Sequence, residues 1–214
     1  MTPDEALAEA PVVAIIRGVQ PEEAEAVAEA VHAAGIRAIE VPMNSPRPLE
    51  SIRRLADAWG GRMAVGGGTL LHPDQVRAVA DAGGKIAVSP NTNPAVIRAA
   101  LDLGLEPMPG FTTPTEAFAA LAAGARRLKL FPAGSLGPAH LKAVKEVLPP
   151  EATVYAVGGV KPDAFGDWWA AGAVGFGMGG ELYKAGRSAS EVAERARAVM
   201  AAMRPLLTSA PGVR

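Results

Sequence analysis

Residues 121–131 read LAAGARRLKLF, in which a run of small helix-forming residues ends at Gly124 and an apolar strand follows. The same order of helix end, glycine and strand recurs in HAAG-IRAIEV, ADAGG-KIAVS, LDLG-LEPMPG and WAAG-AVGFGM, which start at residues 32, 80, 101 and 169. Glycine suits the junction because it adopts the left-handed conformation that ends many helices without steric cost. The repeat predicts a chain in which each helix leads directly into a strand.

Strands and helices alternate over most of the sequence. The apolar runs predict eight strands, separated by helical patterns of roughly 10–15 residues, at about 12–18, 38–43, 63–69, 85–91, 106–111, 126–132, 153–159 and 173–179. Eight alternating units favour a closed parallel (β/α)8 TIM barrel over an open doubly wound sheet, and no G-x-G-x-x-G follows the first strand. We therefore predict one α/β domain over residues 1–214, with a short N-terminal helix in 1–11 that plugs the lower mouth and a flexible tail at 207–214.

The composition is that of a globular protein with little net charge. Hydrophobic residues make up 49% of the chain, and 21 basic and 22 acidic residues give a net charge of −1. No basic run suggests a nucleic-acid surface, and Gly, Pro or a charge interrupts every apolar run before the roughly 18 residues of a membrane span. Cysteine is absent from the sequence, and the first ten residues lack a signal-peptide pattern. We expect a cytoplasmic protein that binds a small molecule, with no nucleic-acid or membrane partner.

Lys129 lies in the middle of the predicted sixth strand. Side chains alternate along a strand, so Leu128 and Leu130 point to one face, while Lys129 shares the other face with Arg127 and Phe131. The amine either snorkels to the strand end or is desolvated, so that a lowered pKa makes it a nucleophile toward a carbonyl group. Its position late in the strand favours the second interpretation, because barrel chemistry takes place at the carboxyl ends of the strands.

The second strand carries an inward-facing group of opposite charge. Ile39 and Val41 are expected to face the helices, which turns Glu40 into the barrel. Alone, this glutamate could be a structural partner of Arg17 or Arg37. A lysine and a glutamate that converge in a dry cavity, however, shift each other's pKa, and such pairs are frequent at functional sites. Both residues are therefore candidate catalytic groups, with a structural ion pair as the alternative.

Glycines cluster where the chain closes the barrel, in Val157-Gly158-Gly159-Val160 after the seventh strand and in Gly177-Met178-Gly179-Gly180 after the eighth. In many barrels the loops at these two positions hold a phosphate group with backbone N–H groups. Close packing of helices against strands is the alternative explanation for the glycines. We predict that the Gly158-Gly159 and Gly179-Gly180 pairs form a phosphate site, and hence that the substrate is phosphorylated.

The histidines do not indicate a metal site. His32 and His140 lie in helical patterns on the outside of the predicted barrel, and only His72 follows a strand end. No set of residues with metal-ligand spacing is present in the sequence. We expect a reaction without a metal ion or organic cofactor, in which Lys129 supplies the covalent chemistry.

From about Val12 to Leu206 the chain resembles a known family, the class I 2-keto-3-deoxy-6-phosphogluconate (KDPG) and 2-keto-3-deoxy-6-phosphogalactonate (KDPGal) aldolases. The motifs that carry the resemblance are Ile39-Glu40-Val41, Gly67-Gly68-Thr69, Ser89-Pro90-Asn91, Pro109-Gly110 and Lys129-Leu130-Phe131-Pro132. The resemblance implies a (β/α)8 barrel, usually a homotrimer, that cleaves a phosphorylated keto-deoxy sugar acid into pyruvate and glyceraldehyde 3-phosphate. It also implies that Lys129 is the Schiff-base residue and Glu40 the acid–base group.

The same resemblance suggests residues that bind the substrate. Gluconate-type members usually have an arginine after strand two, where this chain has Asn44, and a threonine before the strand-seven glycines, where it has Val157. With these departures the chain looks like the galactonate type, in which Arg17 would take over from the missing arginine. The residues that would line the pyruvyl part of the substrate are Thr69, Pro90 and Phe131.

Two other functions remain open from the residues alone. A phosphate-ligand binding barrel without covalent chemistry needs only a structural pair of Lys129 and Glu40. A phosphosugar isomerase or epimerase would use Glu40 as the proton-abstracting base and Lys129 as a cation over the enolate. Only the aldolase requires a covalent bond between Lys129 and a carbonyl compound. Detecting that bond would therefore distinguish the aldolase from the binding barrel and from the isomerase or epimerase.

Overall fold

The computed structural model describes residues 1–209 and shows a ring of parallel strands. The nine strand segments are β1 Val12–Ile15, β2 Ala38–Pro42, β3 Ala64–Gly68, β4 Ile86–Val88, β5 Glu106–Met108, β6 Gly110–Phe111, β7 Arg127–Leu130, β8 Thr153–Val157 and β9 Gly175–Met178. They form one sheet in the order β5-β4-β3-β2-β1-β9-β8-β7-β6, and the neighbours pair in parallel. The two ends of this order, β5 and β6, are consecutive pieces of one stretch of chain. The sheet therefore closes into the predicted (β/α)8 barrel.

The fifth barrel strand, predicted to be continuous over 106–111, is split into β5 and β6. Pro109 lies between them and has no N–H group to donate to a neighbouring strand, so the regular ladder stops there. The carbonyl of Pro109 still accepts a 2.9 Å hydrogen bond from the N–H of Lys129. The proline thus interrupts the ladder without opening the barrel.

The helices surround the strands, and most of them begin at a proline. Proline fits the first turn because its φ is already helical and an N–H group there would have no helical partner. The bounds are α1 Pro3–Glu9, α2 Pro21–Ala34, α3 Pro48–Trp59, α4 Pro73–Asp81, α5 Pro94–Asp102, α6 Pro114–Ala122, α7 Ala133–Leu136, α8 Pro138–Lys145, α9 Phe165–Ala170 and α10 Ala189–Ser209, with a 3₁₀ turn at Pro162–Ala164. The glycines of the five quoted junctions all have positive φ, as the repeat predicts: Gly35, Gly83, Gly104, Gly124 and Gly172.

The apolar core has an outer layer and an inner layer. The outer layer, between strands and helices, contains the buried side chains on either side of the two candidate catalytic residues: Ile39, Val41, Leu128 and Leu130. Ala6 and Leu7 of α1 pack into the inner layer, so α1 lies against the lower mouth of the barrel. The strand residues of the inner layer are Val13, Ile15, Ala38, Ala64, Ile86, Val88, Met108, Tyr155 and Val157.

Polar contacts fasten α1 to the lower mouth. Arg127, the first residue of β7, pairs with Asp4 of α1 at 2.6 Å and with Glu106 of β5 at 2.9 Å. The Lys85 amine donates a 3.1 Å hydrogen bond to the carbonyl of Met1. The lower mouth is therefore closed by apolar packing and by paired charges.

At the other end of the chain, α10 continues through Ser209. Leu206 and Leu207 are partly buried against the outer layer, and this apolar contact keeps the chain helical where a flexible tail was predicted to begin. The remainder of the predicted tail, 210–214, lies outside the described residues. Of the helices in the described part, none combines the length and apolar character needed to cross a membrane.

Candidate active site

An open cleft of about 730 Å³ lies at the carboxyl ends of the strands. Parallel strands bring their carboxyl ends to one rim, which is where barrel enzymes place their chemistry. Below the cleft a small cavity extends into the inner apolar layer and reaches Met108 and Tyr155. Most of the residues predicted from the sequence line the cleft: Arg17, Glu40, Lys129, Phe131, Val157, Gly158, Gly159, Gly179 and Gly180.

Lys129 points into this cleft from β7. Its neighbours Leu128 and Leu130 are fully buried in the outer layer, so the strand alternation turns the amine inward, where the residue is only 7% exposed. The amine lies 4.7 Å from the ring centre of Phe131, a cation–π distance. Burial lowers the pKa of Lys129, and the nearby Arg17 lowers it further, while Glu40 acts in the opposite direction. The amine is thus disposed to lose its proton and become nucleophilic.

Glu40 reaches the same cleft from β2 and is 2% exposed. Its carboxyl group lies against the backbone of Gly68, where a Cβ atom would collide with Oε2. Within the described residues Oε2 has no hydrogen-bond partner. Burial raises the pKa of Glu40 to about 7, although the charges of Lys129 and Arg17 act to lower it. A carboxyl group with this pKa can both accept and donate a proton near neutrality.

The alternative structural partners of Glu40 are engaged elsewhere. Arg37, which precedes β2 at its lower end, pairs with Glu9 of α1 at 2.7 Å. Arg17 donates hydrogen bonds to the side chains of Asn44 and Thr69. In the part of the chain that the structure describes, Lys129 makes no ion pair with Glu40 either. Both groups are buried and face one cleft, and neither is neutralised by a direct contact.

Arg17 follows β1 and lines the rim of the cleft. One guanidinium nitrogen contacts Oδ1 of Asn44 and the other lies 3.3 Å from the hydroxyl of Thr69. Asn44 and Thr69 do not line the cleft themselves. Their observed contacts hold a cation at the rim, and their direct contact with the substrate stays a prediction.

Pro90 lies apart from the other predicted residues. It is half-buried after β4, and its carbonyl lies close to the backbone of Gly110. It lines neither the cleft nor the cavity below it. The contact between Pro90 and the substrate stays a prediction.

The two glycine pairs lie next to each other on one side of the cleft. Gly158 and Gly159 have φ of 88° and 75°, which a residue with a side chain would rarely adopt. Among residues 1–209, the N–H groups of Gly158, Gly159, Gly179 and Gly180 have no backbone or side-chain acceptor. Free N–H groups on one wall of a cleft can bind an anion.

The loop after β9 places four residues in the cleft that were not predicted as site residues, Glu181, Tyr183, Lys184 and Ala185. Lys184 lines the cleft, and its Cε would be 3.5 Å from a Cβ atom at Gly180. Tyr183 also lines the cleft, and burial raises its pKa to about 12, with the Glu23 carboxylate adding to the effect. Both residues follow the Gly179-Gly180 pair within four positions. Their position close to this predicted phosphate loop in the sequence was the signal that could have identified them as cleft residues.

The three histidines lie away from the cleft. The ring of His32 packs against Trp59, and Nε2 of His140 lies 2.6 Å from the carbonyl of Thr112. His72 caps α4. In the described part of the chain no group of three or more His, Cys, Asp or Glu side chains could hold a metal ion. A reaction without a metal stays a prediction.

A closed (β/α)8 barrel that brings a buried amine, a buried carboxyl group with a raised pKa and a cation to the rim of one cleft has the arrangement of a barrel enzyme with acid–base and nucleophilic groups. Comparison with known proteins gives the family. A family model described as KDPG and KHG aldolase matches residues 4–199, and the chain belongs to this family.

Individual relatives agree with this assignment. The chain is 46% identical over 194 residues to the 2-dehydro-3-deoxy-6-phosphogalactonate aldolase of Escherichia coli (strain K12), which covers 91% of this chain and 95% of the relative. It is 49% identical over 194 residues to a probable aldolase of the same name from Rhizobium meliloti (strain 1021), covering 91% and 92%. A solved structure described as a native KDPGal structure has a TM-score of 0.92 and 44% identity over 94% of this chain and 97% of its own. The chain is an aldolase, a carbon–carbon lyase, which sets aside the binding barrel and the isomerase or epimerase.

Proposed function

We propose that this aldolase uses a Schiff base to cleave 2-dehydro-3-deoxy-6-phosphogalactonate, and its gluconate epimer, into pyruvate and D-glyceraldehyde 3-phosphate. The observation that carries the proposal is the pair of buried groups from β7 and β2, Lys129 and Glu40, which face one cleft without neutralising each other. A structural pair would be in direct contact, because an unpaired buried charge is costly. Retaining both groups unpaired fits a site where each must change its protonation state.

In the first half of the reaction, the neutral amine of Lys129 attacks the C2 ketone, and the resulting carbinolamine loses water to form an iminium. The iminium accepts the electron pair of the C3–C4 bond as that bond breaks. Glu40, directly or through a water molecule, takes the proton of the C4 hydroxyl, so that glyceraldehyde 3-phosphate leaves as an aldehyde. The pyruvyl fragment stays on Lys129 as an enamine.

In the second half, Glu40 returns its proton to C3 of the enamine and regenerates an iminium. Water then hydrolyses the iminium, which releases pyruvate and frees the amine of Lys129. One carboxyl group can accept the proton from the C4 hydroxyl and later donate a proton to C3, because its pKa of about 7 leaves it partly ionised near neutral pH. No step calls for a metal ion or an organic cofactor, so we expect chelators to leave the activity intact.

The phosphate of the substrate is assigned to the wall formed by the two glycine pairs. Their N–H groups are free in the described structure, and Lys184 adds a cation to the same wall. The carboxylate or a hydroxyl group of the substrate is assigned to Arg17 at the rim. This arrangement spans the substrate from its carboxylate end to its phosphate end, with the reacting carbon atoms near Lys129.

The galactonate epimer is the preferred substrate in this proposal. Support comes from the names of the two relatives and from the residues that depart from the gluconate pattern, Asn44 and Val157. Asn44 holds Arg17 at the cleft, and Val157 presents an apolar side chain to it. We expect kcat/KM for the phosphogalactonate substrate to equal or exceed that for phosphogluconate.

The proposal also includes a homotrimer, which the resemblance to the family implies, and a cytoplasmic location, which the sequence analysis predicts. Light scattering of the purified protein should give three times the mass of the chain. A monomer that retains full activity at the dilution of the assay would contradict the trimer as the active form.

The decisive experiment is to trap the Schiff base. Incubation with pyruvate and sodium borohydride, followed by digestion and mass spectrometry, should attach a reduced pyruvyl group to Lys129. Lys184, which lines the same cleft, and Lys85, which opens the lower end of β4, serve as internal controls and should stay unmodified. An unmodified Lys129 under conditions of turnover contradicts the proposed mechanism.

A further inference from the structure

Successive carbonyl groups in the loop after β9 face arginine side chains. Nη1 of Arg187 lies 3.3 Å from the carbonyl oxygen of Gly180 and 2.9 Å from that of Leu182. The carbonyl between them, on Glu181, accepts a 3.1 Å hydrogen bond from Nη1 of Arg195 on α10. Two guanidinium groups therefore hold three consecutive carbonyl groups of this loop.

Two N–H groups of the same loop, those of Gly180 and Glu181, lie on its other side. A trans peptide is planar and points its C=O and its N–H in opposite directions. Since the Gly180 carbonyl is directed at Arg187, the N–H of Glu181 points away from that arginine. Gly180 and Glu181 both line the cleft, whereas Arg187 and Arg195 do not. Within residues 1–209, neither the Gly180 nor the Glu181 N–H group has an acceptor.

Hydrogen bonds within the loop strengthen this orientation. The carbonyl of Gly179 accepts bonds of 2.8 Å from the N–H groups of both Leu182 and Tyr183. In the described part of the chain, Arg187 and Arg195 form no ion pair with a carboxylate, so the carbonyl groups are their direct polar partners. A glycine-rich loop can otherwise rotate its peptides at little cost, and a carbonyl oxygen turned into the cleft would repel an anion.

We propose that Arg187 and Arg195 are positioning residues that hold the loop of residues 179–187 with the N–H groups of Gly180 and Glu181 facing the substrate phosphate. Arg187 holds the peptide that carries the Glu181 N–H, and Arg195 holds the next peptide, whose N–H on Leu182 is bonded to the Gly179 carbonyl. They act through the backbone and from outside the cleft. The inference rests on the proposed function, which assigns the phosphate to this loop. It adds the side chains that fix the loop's orientation, so the binding of the phosphate depends on residues that never touch it.

The test replaces each arginine by methionine, which has a similar length and no hydrogen-bond donor. Arg187→Met removes two hydrogen bonds from a charged donor and should raise KM for the phosphorylated substrate by about tenfold. Arg195→Met removes one and should raise KM by about threefold. The inhibition constant for inorganic phosphate should rise in parallel, while kcat and the rate of borohydride trapping with pyruvate, which carries no phosphate, should stay within twofold.

Arg197→Met is the matched control. Arg197 lies on α10, the helix that carries Arg195, and it is exposed. It makes no hydrogen bond to the loop in the described structure, so Arg197→Met loses the same charge without losing a contact to a carbonyl group. Arg187→Lys keeps the charge with a single, differently placed donor group and should fall between the wild type and Arg187→Met. If Arg187→Met does not fold, the exposed Arg195→Met provides the same comparison.

The outcomes separate this inference from the assignment of the phosphate site. An increase in KM and in the phosphate inhibition constant that is confined to the Arg187 and Arg195 variants supports it. An equal increase in Arg197→Met overturns it, because net charge would then be sufficient. If the two arginine variants behave like the wild type while Gly180→Asp raises KM for the phosphorylated substrate, the loop binds phosphate without the arginines. If Gly180→Asp weakens the binding of the phosphorylated substrate and of pyruvate equally, the phosphate binds elsewhere. Both the assignment of the phosphate site and the role of the two arginines would then be wrong.

Discussion

Two cations lie two residues apart on the same face of β7 and have opposite surroundings. Arg127, at the lower end, contacts the carboxylates of Asp4 and Glu106 at 2.6 and 2.9 Å. Burial acts to lower the pKa of Arg127, but these two carboxylates raise it overall. Lys129, at the upper end, makes no ion pair with a carboxylate in the described part of the chain, and burial lowers its pKa. One cation is fixed in its charged form and the other is free to lose its proton.

The difference shows that a charge on a barrel strand does not by itself indicate catalysis. At the lower mouth, α1 and β5 bring carboxylates to Arg127, so the charge serves to close the barrel. At the upper mouth, Glu40 stays back against Gly68, and loops with glycines leave the cleft open around Lys129. Whether a carboxylate contacts the buried cation decides if that cation is structural, as for Arg127, or available for chemistry, as for Lys129.

The largest expected effect is that of removing the upper cation. Lys129→Ala should abolish cleavage and borohydride trapping, because no other amine reaches the ketone in the proposed mechanism. Arg127→Met should retain the wild-type kcat but lose roughly 1–3 kcal/mol of stability, since it leaves two carboxylates unpaired at the lower mouth. Steady-state kinetics and thermal unfolding of both variants give the comparison. Cleavage by Lys129→Ala within tenfold of the wild type would remove the distinction between the two cations.

The carboxyl groups should show the same contrast. Glu40→Gln keeps the nucleophile but removes the proton carrier, so kcat should fall by roughly 10²–10⁴-fold while some trapping with pyruvate persists. Glu106→Gln, the matched change at the lower mouth, should leave kcat near that of the wild type. Near-wild-type turnover by Glu40→Gln would refute its role in proton transfer.

The pH dependence of stability should also differ between the two carboxyl groups. Glu40 has a pKa of about 7 in the fold against 4.5 for an exposed glutamate, so the native state binds more protons than the unfolded state between these values. Stability therefore falls as pH rises from 4.5 to about 7, by about 3 kcal/mol for this group. Glu40→Gln should lack this loss and be more stable than the wild type at pH 8.

Urea unfolding at pH 5 and pH 8 measures this effect. Glu106→Gln, which breaks the pair with Arg127, should be less stable than the wild type at both pH values. A Glu40→Gln variant whose stability relative to the wild type is the same at pH 5 and pH 8 would show that the carboxyl group is not held at an elevated pKa.

The smallest expected effect concerns the choice between epimers. Val157→Thr places a hydroxyl group in the cleft and should shift the ratio of kcat/KM values toward the phosphogluconate substrate by about two- to tenfold. Val13→Thr makes the same change in the lower cavity, which Val13 lines, and should leave the ratio unchanged. A strong gluconate preference in the wild type that Val157→Thr does not alter would contradict the galactonate assignment.

Much of the fold could be predicted because its signals are local. The glycines at the five junctions and the prolines at most helix starts act within a few residues, so the repeat was sufficient to predict the alternating units. The split at Pro109 was missed, although the missing N–H of a proline is itself a local property. The helical start of the predicted tail was missed because the contacts of Leu207 with the outer layer are made only after the helix has packed.

The sequence by itself determined the face on which each candidate residue lies, because strand alternation turns Lys129 and Glu40 inward once Leu128, Leu130, Ile39 and Val41 are buried outward. Only the tertiary structure decided what each charge meets there. Arg127 pairs with a carboxylate 123 residues away, and Arg17 is held by side chains 27 and 52 residues away. Tertiary packing likewise decided that Pro90 lies outside the cleft and Lys184 lines it. The direction of a side chain follows from two-residue periodicity, whereas its partners depend on how distant segments of the chain are brought together.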